Sequence, residues 1–203
     1  MAADITAQVT VPMVARLFPS TPQANIAANL PHVLAALSAR QIGDHDMVCV
    51  ALANIAAETA SWEPVKEGAP SEWNTSPGGQ HFDLYDNRQD LGNGPHDGPL
   101  FPGRGFIQLT GRSNYAKYGP EVGADLIADP DLACDPVIAA KLLAAFLADK
   151  EPRFRVLLAA DNLDYVALRR LVNGGINGMT AFQATFDAAD DAVPMAMTGG
   201  DAS

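Results

Sequence analysis

Cysteine is scarce: Cys49 and Cys134 are the only two in 203 residues, and neither belongs to a CxxC pair. Neither has a histidine at metal-ligand spacing nearby, so a structural zinc module and a disulfide framework are both excluded, leaving two thiols whose simplest use is burial. Positive charge is scarce too. Thirteen Lys and Arg against twenty-four Asp and Glu give a formal net charge of −11. Long-range attraction to nucleic acid or to an anionic membrane is therefore not expected, and a neutral polymer or small molecule is the better partner. No run reaches about 18 apolar residues, so no integral membrane segment is expected. The opening MAADITAQVTVPM lacks a basic start followed by an apolar stretch. Cytoplasmic synthesis without a signal peptide is expected, with any export assisted by another protein.

What is present is apolar and helical. With 48% apolar residues the chain can bury a core of its own, and a single domain over 1–203 is expected, its core at about 6–192 and a flexible tail at 194–203. Thr10 before Pro12 and Thr21 before Pro22 read as helix starts. Residues 25–40 carry Ile26, Leu30, Val33, Leu34 and Leu37 on one face, with Pro31 expected to kink or split the helix. Asp46 is the expected cap of a third helix, MVCVALANIAAETASW, apolar almost all round and therefore central. Helical periodicity returns over 136–150, 153–160, 164–172 and 180–193, with Pro152 and Gly174–Gly175 as breaks. Between these two helical sections, residues 63–105 are rich in proline and glycine. Trp62, Trp73, Phe82, Tyr85 and Phe101 argue that this long loop is ordered.

Three places carry chemistry. Glu58 is the only acidic residue in ALANIAAETASW; a carboxyl poorly solvated at the end of an apolar helix keeps its proton longer, which suits a general acid. YDNRQDLGN supplies a second carboxylate, Asp86, which can activate water across a cleft, with Arg88 near enough to keep it ionised. In GRGFIQLTGRSNYAKYG, Phe106 to Thr110 reads as a short extended segment that turns Ile107 and Leu109 one way and Gln108 and Thr110 the other. Asn114 follows Thr110 at helical i+4 spacing, so Gln108, Thr110 and Asn114 form an uncharged hydrogen-bonding row suited to sugar hydroxyls and N-acetyl groups. Trp62, Trp73 and Tyr85 are either sugar-stacking platforms or ordinary packing.

GRGFIQLTGRSNY resembles the signature of the family-19 glycoside hydrolases, plant-type chitinases and phage or bacterial endolysins, whose usual form is GRG-[apolar]-IQLTGRxNY. LFPSTPQANIAANLPHVLAAL resembles endolysin N-terminal helices, and AAETASW the family's glutamate segment. YDNRQDLGN is similar to YEGRxDLGN, ADPDLACDP to the loop that follows, and LRRLVNGGINGM to the distal INGG block; the likeness covers about residues 6–190. It implies a mainly α, two-lobed, lysozyme-like fold with a cleft, and metal-free, cofactor-free inverting hydrolysis of β-1,4-linked N-acetylated sugars. In that mechanism two carboxyl groups stand about 6.5–9.5 Å apart around a water. On the resemblance, Glu58 stands at the general acid, Asp86 at the general base and Thr110 at the residue holding the water. Gln108, Asn114 and Asn173 stand at substrate contacts, and Tyr85, Arg88 and Trp62 join them as candidate glycan contacts. Glu67 and Asp90 are the alternative bases. Three positions depart from the family: Ala57 where histidine is common, Asp86 where the base is usually glutamate, and Phe182 near the distal arginine. The expected activity is that of a monomeric, bacteriolytic endolysin acting on peptidoglycan after holin-type release. The alternatives are a chitinase or a glycan-binding homologue that does not cut.

Overall fold

The computed structural model describes residues 2–59 and 61–195. The tail expected at 194–203 therefore falls, from 196 onward, outside the described residues. Seven α-helices occur among them: α1 Val11–Leu17, α2 Gln23–Ala39, α3 His45–Glu58, α4 Arg112–Val122, α5 Pro136–Leu158, α6 Tyr165–Asn173 and α7 Met179–Ala192. Short 3-10 turns lie at Thr6–Gln8, Asp83–Tyr85, Gln89–Leu91 and Pro130–Cys134. No described helix is long and apolar enough to cross a membrane.

The central helix is the one the sequence marks. Every residue of α3 from Met47 to Ile55 is buried, so this helix is packed on all sides, with α7 along one of them and α5 on another. It begins at Asp44, not Asp46. The Asp44 carboxylate accepts the Met47 N–H and is gripped by both terminal nitrogens of Arg155 on α5, a fixed anion at the positive end of the helix. α2 runs through Pro31, α4 through Pro120 and α5 through Pro152. A proline inside a helix forfeits one hydrogen bond, and burial of Leu30, Val33 and Leu34 around Pro31 outweighs that loss. α1 lies on α2, α2 on α5, and α4 and α6 also pack on α5. One continuous apolar cluster runs from Ile5 to Val193.

Cys49 does have a histidine one turn away: His45 Nε2 lies 4.0 Å from Cys49 Sγ and 3.2 Å from the Asp190 carbonyl. That carbonyl belongs to the last turn of α7, where main-chain acceptors lack helical partners. His45 thus ties the end of α7 to the start of α3.

The long loop is ordered by specific polar contacts. Arg104, 3% exposed, bonds Asp131, the Leu100 carbonyl and the Tyr115 hydroxyl. The Tyr115 hydroxyl in turn donates to the Pro102 carbonyl at 2.7 Å. Arg112 forks onto Asp97 and lies over the Phe101 ring. Two arginines of the GRGFIQLTGR block therefore fasten the loop to α4. The segment after Arg104 is not extended: Arg104 and Leu109 pair across a tight turn, and Gln108 takes a left-handed φ of 49°. Gly105 at φ 75° starts that turn close to the Ala133 carbonyl, where a Cβ would stand 2.7 Å away.

Candidate active site

A cavity of about 400 Å³ opens between this loop and the helix ends. α3 brings Glu58 to it, the loop brings Glu67, Tyr85 and Thr110, and α6 brings Asn173. Its polar lining is thus two carboxylates with neutral hydrogen-bonding groups, and its apolar lining includes Ile107, Leu109, Phe146 and Val172.

Glu58 is the last residue of α3, with its side chain 12% exposed. Its surroundings are not simply apolar. Arg169 of α6, fully buried, donates Nη2 to Glu58 Oε1 at 2.5 Å, Nη1 to Asn54 Oδ1 at 3.0 Å and Nε to the Asn177 carbonyl at 2.8 Å. The guanidinium locks the carboxyl's orientation and joins α3, α6 and the turn before α7. At that turn Gly178, φ 72°, passes so close to Ala57 that a Cβ would meet the Ala57 carbonyl at 2.8 Å. The small residue before Glu58 fits that close approach.

The second carboxylate in the cavity is Glu67, not Asp86. Asp86 is half-buried, its Oδ1 accepting the Gly98 N–H at 2.7 Å, and it is absent from the lining. It braces the turn from 86 to 98, the use to which a short carboxylate in a tight loop is suited. Glu67 Oε1 accepts from the Tyr85 hydroxyl at 2.8 Å and from Asn74 Nδ2 at 3.0 Å, and Oε2 accepts the Gly103 N–H at 3.1 Å. Asn74 is fully buried and fully used: it also donates to the Gly68 carbonyl and accepts from Ser71 N–H and Thr75 Oγ. Burial, and then the Glu67 carboxylate beside it, push the Tyr85 phenol up, so it remains a donor. A Cβ at Gly103 would stand 3.3 Å from Glu67 Oε2, 3.3 Å from Thr110 Oγ1 and 2.8 Å from Gln108 Oε1. Three oxygens thus converge on the space that a missing side chain leaves.

The remaining candidates divide. Gln108, Thr110, Asn114 and Asn173 all line the cavity. Gln108 commits its Nε2 to the Val65 and Gly105 carbonyls, Thr110 Oγ1 donates to the Gln108 carbonyl, and Asn114 Nδ2 donates to the Thr110 carbonyl. The Gln108 amide, with both N–H groups used, keeps its carbonyl oxygen for a ligand, while Asn114 keeps its carbonyl oxygen and one N–H. Tyr85 lines the cleft and holds Glu67. Arg88 does not line it, because it forks onto Asp90. Trp62 is fully buried between Phe18 and Phe106, the packing alternative rather than a sugar platform. Trp73, 72% exposed at the cavity, is the aromatic open to a ligand.

Arg169 and Asn74 were not marked by the sequence as site residues. Arg169 had a signal, standing four residues before Asn173 on one helical face. Asn74 had none, since its partners lie in a loop without periodicity.

Residues 80–154 match the family described as chitinase class I, glycoside hydrolase family 19. Chitinase 8 of Oryza sativa subsp. japonica is 36% identical over 94 residues, 38% of this chain and 36% of that protein. An endochitinase of Pisum sativum is 31% identical over 146 residues, 62% of this chain and 44% of that one. A glycosyl hydrolase family 19 domain-containing protein of Haemophilus influenzae is 34% identical over 99 residues, 47% and 44% of the two chains. The chain spans less than half the length of these curated relatives. Chitinase C from Streptomyces griseus shares its fold over 95% of this chain and 78% of that one, with a TM-score of 0.64 at 18% identity. A bacterial family 19 chitinase does so over 95% and 98%, at 0.62 and 19%. The fold is therefore the mainly helical, lysozyme-like one that the motifs implied. Sequence match over residues 80–154, motif order and shared fold together make this chain similar to the family 19 glycoside hydrolases.

Proposed function

We propose that the chain hydrolyses the β-1,4-linked N-acetylated glycan backbone of peptidoglycan with inversion. The observation that carries this reading is the pair of carboxyl groups, Glu58 and Glu67, lining one cavity in different hydrogen-bond settings. Arg169 occupies Glu58 Oε1 and leaves Oε2 to carry the proton delivered to the glycosidic oxygen. Glu67, with three donors aimed at its two oxygens, is arranged as an acceptor. It takes the proton of a water held beside Thr110 and Gln108 as that water attacks the far face of the sugar. Asn114 and Asn173 meet the N-acetyl and hydroxyl groups, and Trp73 offers its face to a sugar ring.

Peptidoglycan is preferred for the endolysin-like N-terminal half and the two free cysteines, in place of a disulfide framework of the secreted plant type. The second reading, a chitinase, is favoured by the names of the plant relatives. Reducing-end release from purified sacculi and from chitin oligosaccharides, with products identified by mass spectrometry, separates the two. Wild type is expected to cleave sacculi, and Glu58→Gln and Glu67→Gln each to lose about 10²–10⁴-fold, whereas Asp86→Asn stays within a few-fold. Cleavage of chitin oligosaccharides alone selects the chitinase. Silence on both substrates with saccharide binding intact would select a binding homologue, and full activity of Glu67→Gln would reject the base assignment.

A further inference from the structure

One turn beyond the α4 and α5 lining of the cleft, two lysines of this acidic chain stand close together around one carboxylate. Asn114 and Phe146 line the cavity. Lys117 follows Asn114 by three residues on α4 and Lys150 follows Phe146 by four on α5, so each lies one turn beyond the lining on the same helical face. Lys150 Nζ stands 3.5 Å from the centre of the Phe146 ring and 6.0 Å from that of Tyr118, and Lys117 Nζ stands 4.9 Å from Tyr118. Cation and aromatic faces attract in this range.

Both ammonium groups share one carboxylate. Asp149 Oδ2 is 2.8 Å from Lys117 and 3.5 Å from Lys150, and it accepts the Tyr118 hydroxyl at 3.1 Å. Two cations against one anion leave a net positive charge, in a molecule whose sum is −11. Burial first, with Lys117 and Arg153 adding to it, holds Lys150 below the usual lysine range, whereas Lys117, bonded to Asp149, is held above it. Lys150, with the longer 3.5 Å contact to Asp149, is the cation that a second anion would complement.

We infer that Lys117 and Lys150 form a carboxylate subsite at the end of the cleft, so that the glycan it accepts carries anionic substituents, which chitin lacks. This rests on reading the cleft as the glycan site of the proposed hydrolase. In peptidoglycan the carboxylate has two sources: the stem peptide in intact strands, and the lactyl ether once an amidase has removed the peptide. Both offer one or more carboxylates projecting from a β-1,4-linked N-acetylated backbone.

The test compares wild type with the double variant Lys117→Met/Lys150→Met, whose thioether stems keep the packing over Phe146 and Tyr118. Substrates are solubilised strands with stem peptides, amidase-stripped strands, and each of these with its carboxylates capped as neutral amides. In wild type kcat/KM is expected to be three- to tenfold higher on uncapped than on capped strands, through KM, and this ratio to fall to one in the variant. The strand type showing the larger ratio identifies the carboxylate source. Equal ratios in wild type and variant, or a variant equally slowed on capped and uncapped strands, would overturn the subsite. Co-sedimentation of both proteins with the same strands at low salt reads the same ratio as affinity. A chain that cuts nothing but binds uncapped strands preferentially keeps the subsite and loses the hydrolase, whereas cutting without charge preference does the reverse.

Discussion

Gly103 controls the space between the carboxylate Glu67 and the hydroxyl Thr110 by having no side chain. An added methyl would press on Glu67, Thr110 and Gln108 together, so Gly103→Ala is expected to cost about 10- to 100-fold in kcat with little change in melting temperature, measured by initial rates and calorimetry. Most of the polar row was legible at this scale. Gln108, Thr110 and Asn114 are packed into one short block and reach one cavity, because a turn and the first coil of a helix are local structures. The extended reading of residues 106–110 failed on Gln108, whose left-handed backbone is imposed by the Arg104–Leu109 pairing. Asp86 and Glu67 could not be told apart from sequence. Both are loop carboxylates, and what separates them is which one the chain has already used to bind a turn.

Among the elements, α3 depends on a charged joint as well as on its apolar sides. Burial tends to push Asp44 up, but the forked Arg155 pair and the Met47 N–H outweigh it and hold Asp44 below its ordinary 3.8. A carboxyl lowered by folding stabilises the fold above its unfolded value and loses that contribution as pH falls through the folded value. Wild type is therefore expected to lose stability as pH drops below about 4, and Asp44→Asn to be about 1–2 kcal/mol less stable at pH 7 with the gap closing in acid, read from denaturant midpoints. Asparagine keeps the helix cap, so the difference isolates the ion pair. The cap was misplaced by two residues in the sequence because Asp44 and Asp46 are equally good caps locally. Arg155, 111 residues away, makes the choice.

At the scale of the molecule, a single apolar cluster from Ile5 to Val193 links the helices on both sides of the cleft. Thermal unfolding is expected as one cooperative transition, with far-UV and near-UV circular dichroism coinciding; two separated transitions would mean that the loop-rich side melts alone. The sequence by itself determined most of the helical segments, the central place of α3, the order of the loop and the presence of Glu58 at the end of that helix, since each follows from short-range periodicity, capping chemistry or composition. Tertiary structure decided which loop carboxylate shares the cavity with Glu58, that Trp62 is packed while Trp73 is open, and that Arg169 holds Glu58. Those outcomes depend on contacts such as Glu58–Arg169 and Asp44–Arg155, each 111 residues apart in the chain, and on burial that only the assembled core imposes.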